Sequence, residues 1–415
     1  MRILYIDMVP NNPSQCLKLA GIRRYAGLSG MEVATVTRDE LRQRDVRSFI
    51  ADYRPGGVIV EGSGRTVDYM PDVLGAIPAS YIEYPAEAIA GKAPDVVIDD
   101  AAVADAAFRE LSQWKPAAFA AVGFIVPHPW SRMRVDAFMR CCRKEGAECE
   151  VFPTNWPESE ESRFERLSDW VADLPGHTAI FTASDATAET VERAAIAAHR
   201  HIPKDISICS TDNISKICEN APIPLTSIQL DFERIGFVAA RALVEITVTA
   251  GTTGTVGTTG TCFSSGLSHS SHLSHPSHPS QLILPIGPLL VTRRKSTSGR
   301  GRHEPWILRA VEIIRAEACN GITITGVIDR LEKDMGRTVP RRTFDLRFRE
   351  AMGHTANEEI LSVRLESACA LLAQTDTPVT IVHDFCGFGC YSALDAVFRS
   401  RFGMSMGAWR GRNFR

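Results

Sequence analysis

Short apolar runs separated by longer helix-like stretches fill the first 230 residues of the chain. Eight of these runs are RILYIDM, MEVATV, GGVIVEG, ASYIEY, FAAVGF, AECEVF, AIFTAS and DISICS. Runs that are apolar at nearly every position are typical of strands buried on both faces, as in parallel sheets covered by helices. Helix-like stretches lie between many of them, for example at 101–113, 133–145 and 187–199. The alternation predicts an α/β doubly wound architecture, and its length predicts two α/β lobes.

The net charge of −3 conceals an uneven distribution along the chain. From residue 293 to the end there are 20 Lys and Arg against 14 Asp and Glu, whereas residues 1–292 hold 26 and 35. An acidic body followed by a basic end favours a phosphate-bearing partner, such as DNA, that only the C-terminal part contacts. Uneven surface charge without any partner is the alternative interpretation.

Cysteine usage and the N-terminal residues indicate the compartment. The eleven cysteines are odd in number and scattered, and no Cys-x-x-Cys pair occurs, so we expect neither a disulfide framework nor a zinc site. No apolar run approaches the roughly 20 residues that span a bilayer, and the start lacks the pattern of a signal peptide. The sequence therefore predicts a cytoplasmic protein that contacts no membrane and needs no cofactor and no structural metal.

Residues 247–281 interrupt the α/β pattern with a Gly/Thr-rich segment followed by a Ser/His/Pro-rich one. Such a composition cannot bury enough apolar surface to offset the entropy lost on ordering. Four histidines, His269, His272, His275 and His278, recur every third residue, which in an extended chain would place them on one face. A transition-metal site is conceivable there, but a flexible insertion is the simpler interpretation. It would interrupt a short return from a helix that ends near Leu243 to a strand at LILPIGPLLV.

The C-terminal part is predicted to be helical. Apolar residues recur at helical spacing in two stripes, Trp306, Ala310, Ile313 and Ile314, then Leu361, Leu365, Ala368 and Leu372. Gly, Thr and Pro stand at the expected helix ends. We expect a first domain at 1–292, a linker at 293–304 and an all-α domain at 305–415.

Two segments of the helical domain have the same pattern. TVPRRTFDLRFREAMG at 338–353 and GFGCYSALDAVFRSRFG at 387–403 each predict a basic amphipathic helix that ends at Gly and follows a short helix-like segment. Residues 305–412 closely resemble the AraC-type DNA-binding domain, in which two helix-turn-helix units are joined by a long helix. The matching positions include Arg341, Arg342, Phe344, Arg347 and Phe348, then Arg364, Leu365 and Glu366, then Cys386, Gly387, Phe388, Phe398, Phe402, Gly403 and Trp409.

The resemblance implies which side chains face DNA. A recognition helix presents side chains to base edges while its other face anchors in a small core. In the first helix the candidates are Arg341, Arg342, Thr343 and Asp345; in the second they are Tyr391, Ser392 and Asp395 for bases, and Arg399 and Arg401 for phosphates. Phe344, Phe348, Leu394, Phe398 and Phe402 are expected in the core. The chain departs from the family at Ala393 and Ala396, which replace longer side chains, and in the long RLEKDMGRTV segment before the first helix.

Residues 1–245 resemble the effector-binding domain of LacI/GalR-type repressors, which is itself like periplasmic sugar-binding proteins. The clearest stretch is HIPKDISICSTDNISKICENAPIPLTSIQLDFERIGFVAARAL, residues 201–243. A LacI-type repressor carries its DNA-reading module before the first strand. Here Met1 opens that strand, so we expect the AraC-like domain to supply the module. A LacI-like sensor followed by an AraC-like reader is similar to the xylose-regulator subfamily.

The second resemblance also implies an effector site. Its pocket carries over to Arg134 in the helix that contains WSRMRVDAF, and to Asp212 with Asn213 after the DISICST strand. Asp185 follows another strand, AIFTAS, and ligands of open α/β sheets bind at such strand ends. Trp130 could supply the aromatic face that a sugar ring packs on. The alternative is that Arg134 and Asp185 are surface charges and Trp130 is core.

Three function classes remain open from the sequence. The first is a ligand-responsive transcription factor whose partners are an operator in double-stranded DNA, a small sugar such as xylose or a related pentose, RNA polymerase and a second copy of the chain. The second is a sugar-binding protein with weakened or lost DNA binding. The third is a sugar-converting enzyme, against which no nucleophile elbow, dinucleotide fingerprint or His-Glu-x-x-His motif is found.

Replacing residues 250–280 with a short Gly/Ser link should leave both the melting temperature and sugar binding unchanged. Loop-closure entropy grows only slowly with loop length, so a long surface insertion costs little and its removal gains little. Thermal melting with and without the sugar checks this expectation. A large fall in either quantity would show that the segment is structural.

Overall fold

Two six-stranded sheets and a C-terminal group of helices make up the computed structural model. It describes residues 1–9, 11–28, 30–62, 70–83, 93–126, 128–252, 283–297, 306–352, 354–374 and 377–413. The predicted α/β two-lobed architecture followed by an all-α domain is confirmed. Among the described residues, no helix has the length and apolar character needed to cross a membrane.

Lobe 1 is built on a sheet with the strand order β11-β5-β4-β3-β1-β2. Every strand pairing in it is parallel, as predicted from the apolar runs. Its strands are β1 (Arg2–Met8), β2 (Glu32–Thr37), β3 (Gly57–Glu61), β4 (Ala79–Ile82), β5 (Asp95–Ile98) and β11 (Ile283–Ile286). Its helices are α1 (Pro13–Leu28), α2 (Arg38–Gln43), α3 (Val46–Tyr53) and α4 (Met70–Leu74).

Lobe 2 is built on a second sheet with the strand order β12-β10-β9-β8-β6-β7. Its strands are β6 (Ala118–Val122), β7 (Cys149–Val151), β8 (Thr178–Thr182), β9 (Ile206–Thr211), β10 (Thr226–Leu230) and β12 (Pro288–Thr292). Its helices are α6 (Pro129–Lys144), α7 (Glu160–Asp173), α8 (Asp185–Ala197) and the short α9 (Ser215–Cys218). β12 is antiparallel to β10, whereas the other pairings are parallel.

The chain passes between the lobes at three described places. Helix α5 (Asp100–Ser112) leads from β5 to β6, and helix α10 (Phe232–Thr252) follows β10 of lobe 2 and packs against α1, β3 and β4 of lobe 1. The third passage is Gly287, the single residue between β11 and β12. The sequence predicts one strand for LILPIGPLLV, which is wrong: the two halves pair in different sheets.

Two predicted boundaries differ from the observed ones. Helix α10 continues to Thr252, past the end near Leu243 that the sequence predicts, because EITVTAGT extends an apolar helix despite its β-branched residues. Replacement of the insertion should therefore begin after residue 252. The rest of the low-complexity segment, with its four histidines, lies outside the described residues. Arg294, Ser296 and Thr297, which fall in the predicted linker, are buried against lobe 2.

The C-terminal domain consists of short helices around two small cores. Its helices are α11 (Trp306–Glu317), α12 (Ile324–Met335), α13 (Arg341–Met352), α14 (Ala356–Gln374), α15 (Val382–Phe385), α16 (Tyr391–Phe402) and α17 (Met406–Asn413). Phe344 and Phe348 of α13 are fully buried in one core, and Leu394 and Phe398 of α16 are fully buried in the other. Helix α14 contributes to both cores, so it connects the two halves of the domain.

Helices α1 and α10 cross with their backbones in direct contact. A Cβ atom at Gly21 would lie 1.9 Å from the carbonyl oxygen of Glu233, and one at Gly236 would lie 1.8 Å from that of Lys18. Only glycine permits so close an approach, since interiors are packed too densely to move aside. The crossing brings Lys18 to the edge of lobe 1, as described below.

Gly236→Ala should lower the free energy of unfolding by about 1–3 kcal/mol, because the added methyl group forces the two helices apart. Gly27→Ala is the matched control. Gly27 lies in α1 but is exposed, with nothing within 4 Å of its Cβ position, so alanine should stabilise the helix by roughly 0.5–1 kcal/mol. Urea denaturation followed by tryptophan fluorescence measures both. Equal effects of the two substitutions would contradict the close crossing.

Candidate functional site

A buried arginine lies between the two lobes. Arg134, in the second turn of α6, donates from Nη1 to the carbonyl oxygen of Ala183 at 2.7 Å and to Oγ1 of Thr211 at 2.9 Å. Its Nε donates to Oδ1 of Asp100 at 3.2 Å, and its Nη1 lies 3.7 Å from Oδ1 of Asp212. Ala183 and Thr211 are at the carboxyl ends of lobe 2 strands, whereas Asp100 is the first residue of α5, the helix that follows β5 of lobe 1 and packs on lobe 2. Arg134 therefore lies where the lobe 2 strand ends meet the first passage of the chain between the lobes.

Asp212 stands at the carboxyl end of β9 in an unusual backbone conformation. Its φ is 103° and that of Asn213 is 55°, both in the left-handed half of conformational space. Asp and Asn are the non-glycine residues that adopt such conformations most readily, and they often do so at binding sites. Burial raises the pKa of Asp212 well above its usual range, against the opposing effect of Arg134.

Asn213 connects the Asp212 turn to two neighbouring strands. Its Nδ2 donates to Oε1 of Gln229 and to Oγ1 of Thr292, both at 3.1 Å, and its backbone N–H donates to Oγ of Ser227 at 3.0 Å. Its Oδ1 is buried and accepts no hydrogen bond from the residues that the structure describes. A buried acceptor without a partner has an unmet need for a donor, which favours a ligand or water at this position.

Asp185, the first residue of α8, is completely buried. Its carboxylate accepts hydrogen bonds from the hydroxyls of Ser210 and Ser227 and from the backbone N–H of Ile214 at 2.6 Å. Burial raises its pKa, although these hydrogen bonds act in the opposite direction. All three partners belong to the strands and the turn around Asp212. The arrangement favours positioning of that turn over direct contact with an effector, and the effector contact predicted for Asp185 stays a prediction.

Trp130 belongs to an aromatic group beside Arg134. The guanidinium carbon of Arg134 lies 5.2 Å from the centroid of the half-buried Trp130 ring. Phe124 and His128 lie next to it, with ring centroids 5.5 Å and 6.0 Å from that of Trp130. These rings follow the carboxyl end of β6 and provide an apolar surface at the cleft.

Lobe 1 contributes a buried charge cluster that the sequence analysis missed. Nζ of Lys18 lies 2.9 Å from Oε1 of Glu61 and 2.7 Å from Oε2 of Glu83, and the hydroxyl of Tyr5 donates to Oε2 of Glu61 at 2.7 Å. Glu83, whose φ is 51°, also acts electrostatically on Arg134, Asp100 and Asp212. The available signal was a charged residue closing an apolar strand, as in GVIVE and SYIE.

The cleft thus combines two cationic side chains, several carboxylates and an aromatic surface. Carboxylates accept hydrogen bonds from hydroxyl groups, guanidinium and ammonium groups donate them, and aromatic rings pack on apolar C–H faces. Acidic groups outnumber basic ones, so the site suits a neutral polyhydroxyl compound better than an anion. No cluster of His, Cys, Asp or Glu suited to a metal ion occurs among the described residues.

Comparisons with known proteins match both parts of the chain. A periplasmic binding protein-like domain matches residues 117–259, and a helix-turn-helix domain matches residues 338–412. The xylose operon regulatory protein of Haemophilus influenzae is 26% identical over 75% of this chain and 73% of that protein. The protein with the same description from Escherichia coli K12 is 23% identical over 74% and 71%.

Solved structures support the same fold. A structure described as the xylose-binding transcription activator XylR covers 100% of this chain and 99% of its own, with a TM-score of 0.55 and 20% identity. A transcriptional regulator CelR–cellobiose complex covers 71% of this chain and 84% of its own, with a TM-score of 0.53 and 18% identity. The chain is a transcriptional regulator with a helix-turn-helix domain, and it is similar to the xylose operon regulatory proteins. Its relatives are regulators, which sets aside the enzyme alternative.

The regulator presents the polar faces of α13 and α16 to solvent. On α13, Arg341, Arg342, Thr343 and Asp345 are exposed, opposite the buried Phe344 and Phe348. On α16, Ser392, Arg399 and Arg401 are exposed and Tyr391 and Asp395 are half-buried, opposite Leu394 and Phe398. The predicted core positions are confirmed except Phe402, which is half-buried. The predicted base and phosphate contacts remain predictions.

The two helices share one local feature. Nε of Arg341 donates to Oδ2 of Asp345 at 2.8 Å on α13, and Nε of Arg399 donates to Oδ2 of Asp395 at 2.6 Å on α16. Each is an i, i+4 pair with an exposed arginine, and such surface pairs contribute only about 0.3–0.5 kcal/mol. The arginines are therefore held loosely enough to exchange their carboxylate for a base edge or a phosphate.

The pH dependence of stability should reveal the buried Asp100. Burial raises its pKa to about 6, although Arg134 opposes the shift, whereas an unfolded aspartate titrates near 3.9. The folded state therefore binds more protons between these values, and stability is lost as pH rises from about 4 to 7. In Asp100→Asn this loss disappears, so the variant should gain about 2–3 kcal/mol relative to wild type over that range. Urea denaturation at pH 4.5 and 7 tests it, and a pH-independent difference would contradict it.

Proposed function

We propose that the effector of this regulator is xylose or a related pentose, which binds in the cleft between the lobes. The observation that carries the proposal is Arg134, a buried donor at the crossing between the lobes, beside two aspartates and an aromatic ring. The neutral, hydroxyl-rich chemistry of a pentose suits this set of acceptors and donors. The names of the curated relatives support xylose as the first sugar to test.

Effector residues are proposed on the basis of this geometry. Arg134 and Asp212 would bind sugar hydroxyls, the free Oδ1 of Asn213 would accept one, and Trp130 would pack on the ring. Asp185 would act mainly by holding the Asp212 turn. A sugar that contacts both lobes binds a closed cleft better than an open one, and it shifts the population toward the closed state by that difference in affinity.

DNA reading is proposed for α13 and α16, joined by the 19-residue helix α14. Arg341 and Arg342 would contact bases or phosphates with Thr343 and Asp345, and Tyr391, Ser392 and Asp395 would face bases in the second half-site. Arg399 and Arg401 would bind phosphates. Both helices expose these side chains while their apolar faces are buried in separate cores, as a rigid double reader requires.

The wider setting is part of the same proposal. A cytoplasmic homodimer would read two pairs of half-sites and contact RNA polymerase at the promoter. The sensor would comprise residues 1–292, with an insertion within 247–281, and the reader residues 305–415. The buried positions Arg294, Ser296 and Thr297 support placing the start of the linker after residue 297.

Arg134→Ala and Asp212→Ala should each weaken xylose binding ten-fold or more, because losing a charged hydrogen-bond partner in a desolvated site costs about 1.5–3 kcal/mol. DNA affinity without sugar should stay near wild type. Arg132→Ala is the matched control, since Arg132 is an exposed arginine two residues earlier on α6. Isothermal titration with xylose and other pentoses measures these affinities. Unchanged sugar affinity in both cleft variants would overturn the assignment.

Loss of Arg341 or Arg342 should reduce discrimination at one base pair by about 1–3 kcal/mol. Loss of Arg399 or Arg401 should instead weaken binding to all sequences alike and flatten the salt dependence by about one charge each. Mutated bases in the half-site of α16 should cost less than in that of α13, because Ala393 and Ala396 reach no base.

The measurement is the affinity for duplexes selected by the wild-type chain, over a range of salt concentrations. Arg42→Ala, in exposed α2 of lobe 1, is the control and should behave as wild type. Binding that is indifferent to salt, or the absence of any protected site in footprinting, would favour a sugar-binding protein that does not read DNA.

A further inference from the structure

The reader domain contacts the sensor through an arginine whose side chain is largely covered. Arg315 of α11 is 9% exposed, and its two terminal nitrogens donate to the two carboxylate oxygens of Asp231 at 2.8 Å and 2.6 Å. Paired bonds between a guanidinium and a carboxylate are strong and fix the relative orientation of the two groups. Asp231 belongs to the sensor and Arg315 to the reader, so this contact fixes one domain against the other.

Asp231 occupies a structurally sensitive position in the sensor. It lies between β10 and α10, and its Oδ1 accepts the backbone N–H of Arg234 in the first turn of α10. Although burial alone would raise its pKa, Arg315 and Arg234 hold the pKa of Asp231 below its usual range. Two residues earlier on β10, Gln229 holds Asn213 beside the cleft. The Asp231 carboxylate therefore caps the first turn of α10, and it lies two residues after Gln229, which contacts the proposed effector residue Asn213.

On the reader side, the cluster continues to the first recognition helix. Nε of Arg315 lies 3.8 Å from Oε1 of Glu359 in the first turn of α14, and Oε2 of Glu359 lies 2.8 Å from Nε2 of His354. The His354 ring packs edge-on against Phe348 of α13, with 6.2 Å between the ring centroids. Arg315 is thus connected through two side chains to the core anchor of α13.

Further contacts extend the interface along α14. Arg234 of α10 pairs with Glu366 at 2.5 Å. Ala370 is buried in the same apolar cluster as Tyr25 of α1 and Phe237 of α10. Helix α14, which joins the two reading units, is therefore packed on the sensor. A shift of α10 must either move α14 as well or break these contacts.

We propose that the Arg315 cluster is the contact through which occupation of the cleft repositions the first recognition helix. Arg315 is a positioning residue, since it touches neither the cleft nor the exposed face of α13. The inference rests on the proposed function in using xylose as the effector. Two sites coupled in this way influence each other reciprocally: sugar changes DNA affinity by the same factor as DNA changes sugar affinity.

The test uses the full chain and DNA duplexes selected by the wild-type protein, with DNA affinity measured with and without saturating xylose. In wild type the ratio of the two affinities should fall in the usual range for coupled sites, about 5–150-fold. Arg315→Gln and Asp231→Asn should each bring the ratio to within two-fold of one, while sugar affinity without DNA stays unchanged. The asparagine side chain can still cap α10, so this variant removes the charge without removing the cap.

Arg309→Gln is the matched control. Arg309 lies on the same helix as Arg315 but is exposed, and it pairs with Asp334 and Glu312 inside the reader. It should keep the wild-type ratio. The double variant Asp231→Asn/Arg315→Gln leaves no unpaired charge between these two positions and should show no further loss, as expected of residues that act through one contact. A wild-type ratio in Arg315→Gln, or an equal loss in Arg309→Gln, would overturn the inference.

A second measurement separates failure of this inference from failure of the proposed effector. If xylose leaves wild-type DNA affinity unchanged, the effector assignment is wrong, and amide hydrogen exchange without sugar still tests the cluster. In Arg315→Gln, exchange should rise together at 229–235 of the sensor and at 341–352 of the reader, and in Arg309→Gln at neither. A rise confined to α11 would overturn the inference.

Discussion

The guanidinium of Arg134 holds the lobe 2 strand ends to the first crossing between the lobes. A buried cation without partners is too costly to persist, so this one must be surrounded by oxygen atoms from several elements. Lobe 2 strands provide a backbone carbonyl and a threonine hydroxyl, and Asp100 at the start of the crossing helix α5 provides a carboxylate. The left-handed turn at Asp212 and the hydrogen bonds of Asp185 bring further acceptors to the same point.

Much of this architecture could be predicted from the sequence, because strands buried on both faces have a composition that few other structures share. The eight apolar runs became eight strands, yet β5 and β10 were missed. DVVI is only four residues long, and TSIQL has polar residues at three of its five positions. The split of LILPIGPLLV between two sheets could not be predicted, since both halves have strand composition and the choice of sheet depends on partners distant in sequence.

The cleft residues show the same limit. Family resemblance identified Arg134 and Asp212 as candidate effector-binding residues, and the two lie together. In the sequence, by contrast, Lys18 cannot be distinguished from an ordinary polar residue of a surface helix. Its partners Glu61 and Glu83 follow 43 and 65 residues later, so no local pattern connects the three. In the reader, by contrast, apolar positions and exposed arginines alternate at helical spacing within one segment, and the buried and exposed faces of α13 and α16 followed directly from it.

The path of the chain places the reader across the hinge. One core of the reader includes Leu290 of the lobe 2 strand β12, whereas its helix α14 packs on α1 and α10 at the side of lobe 1. Because the reader is packed on both lobes, it cannot move with one lobe alone. Rotation of one lobe against the other must change the packing at one of these two contacts, so a rigid reader resists that rotation. By the same geometry, a DNA duplex that immobilises the reader would alter how easily the lobes rotate.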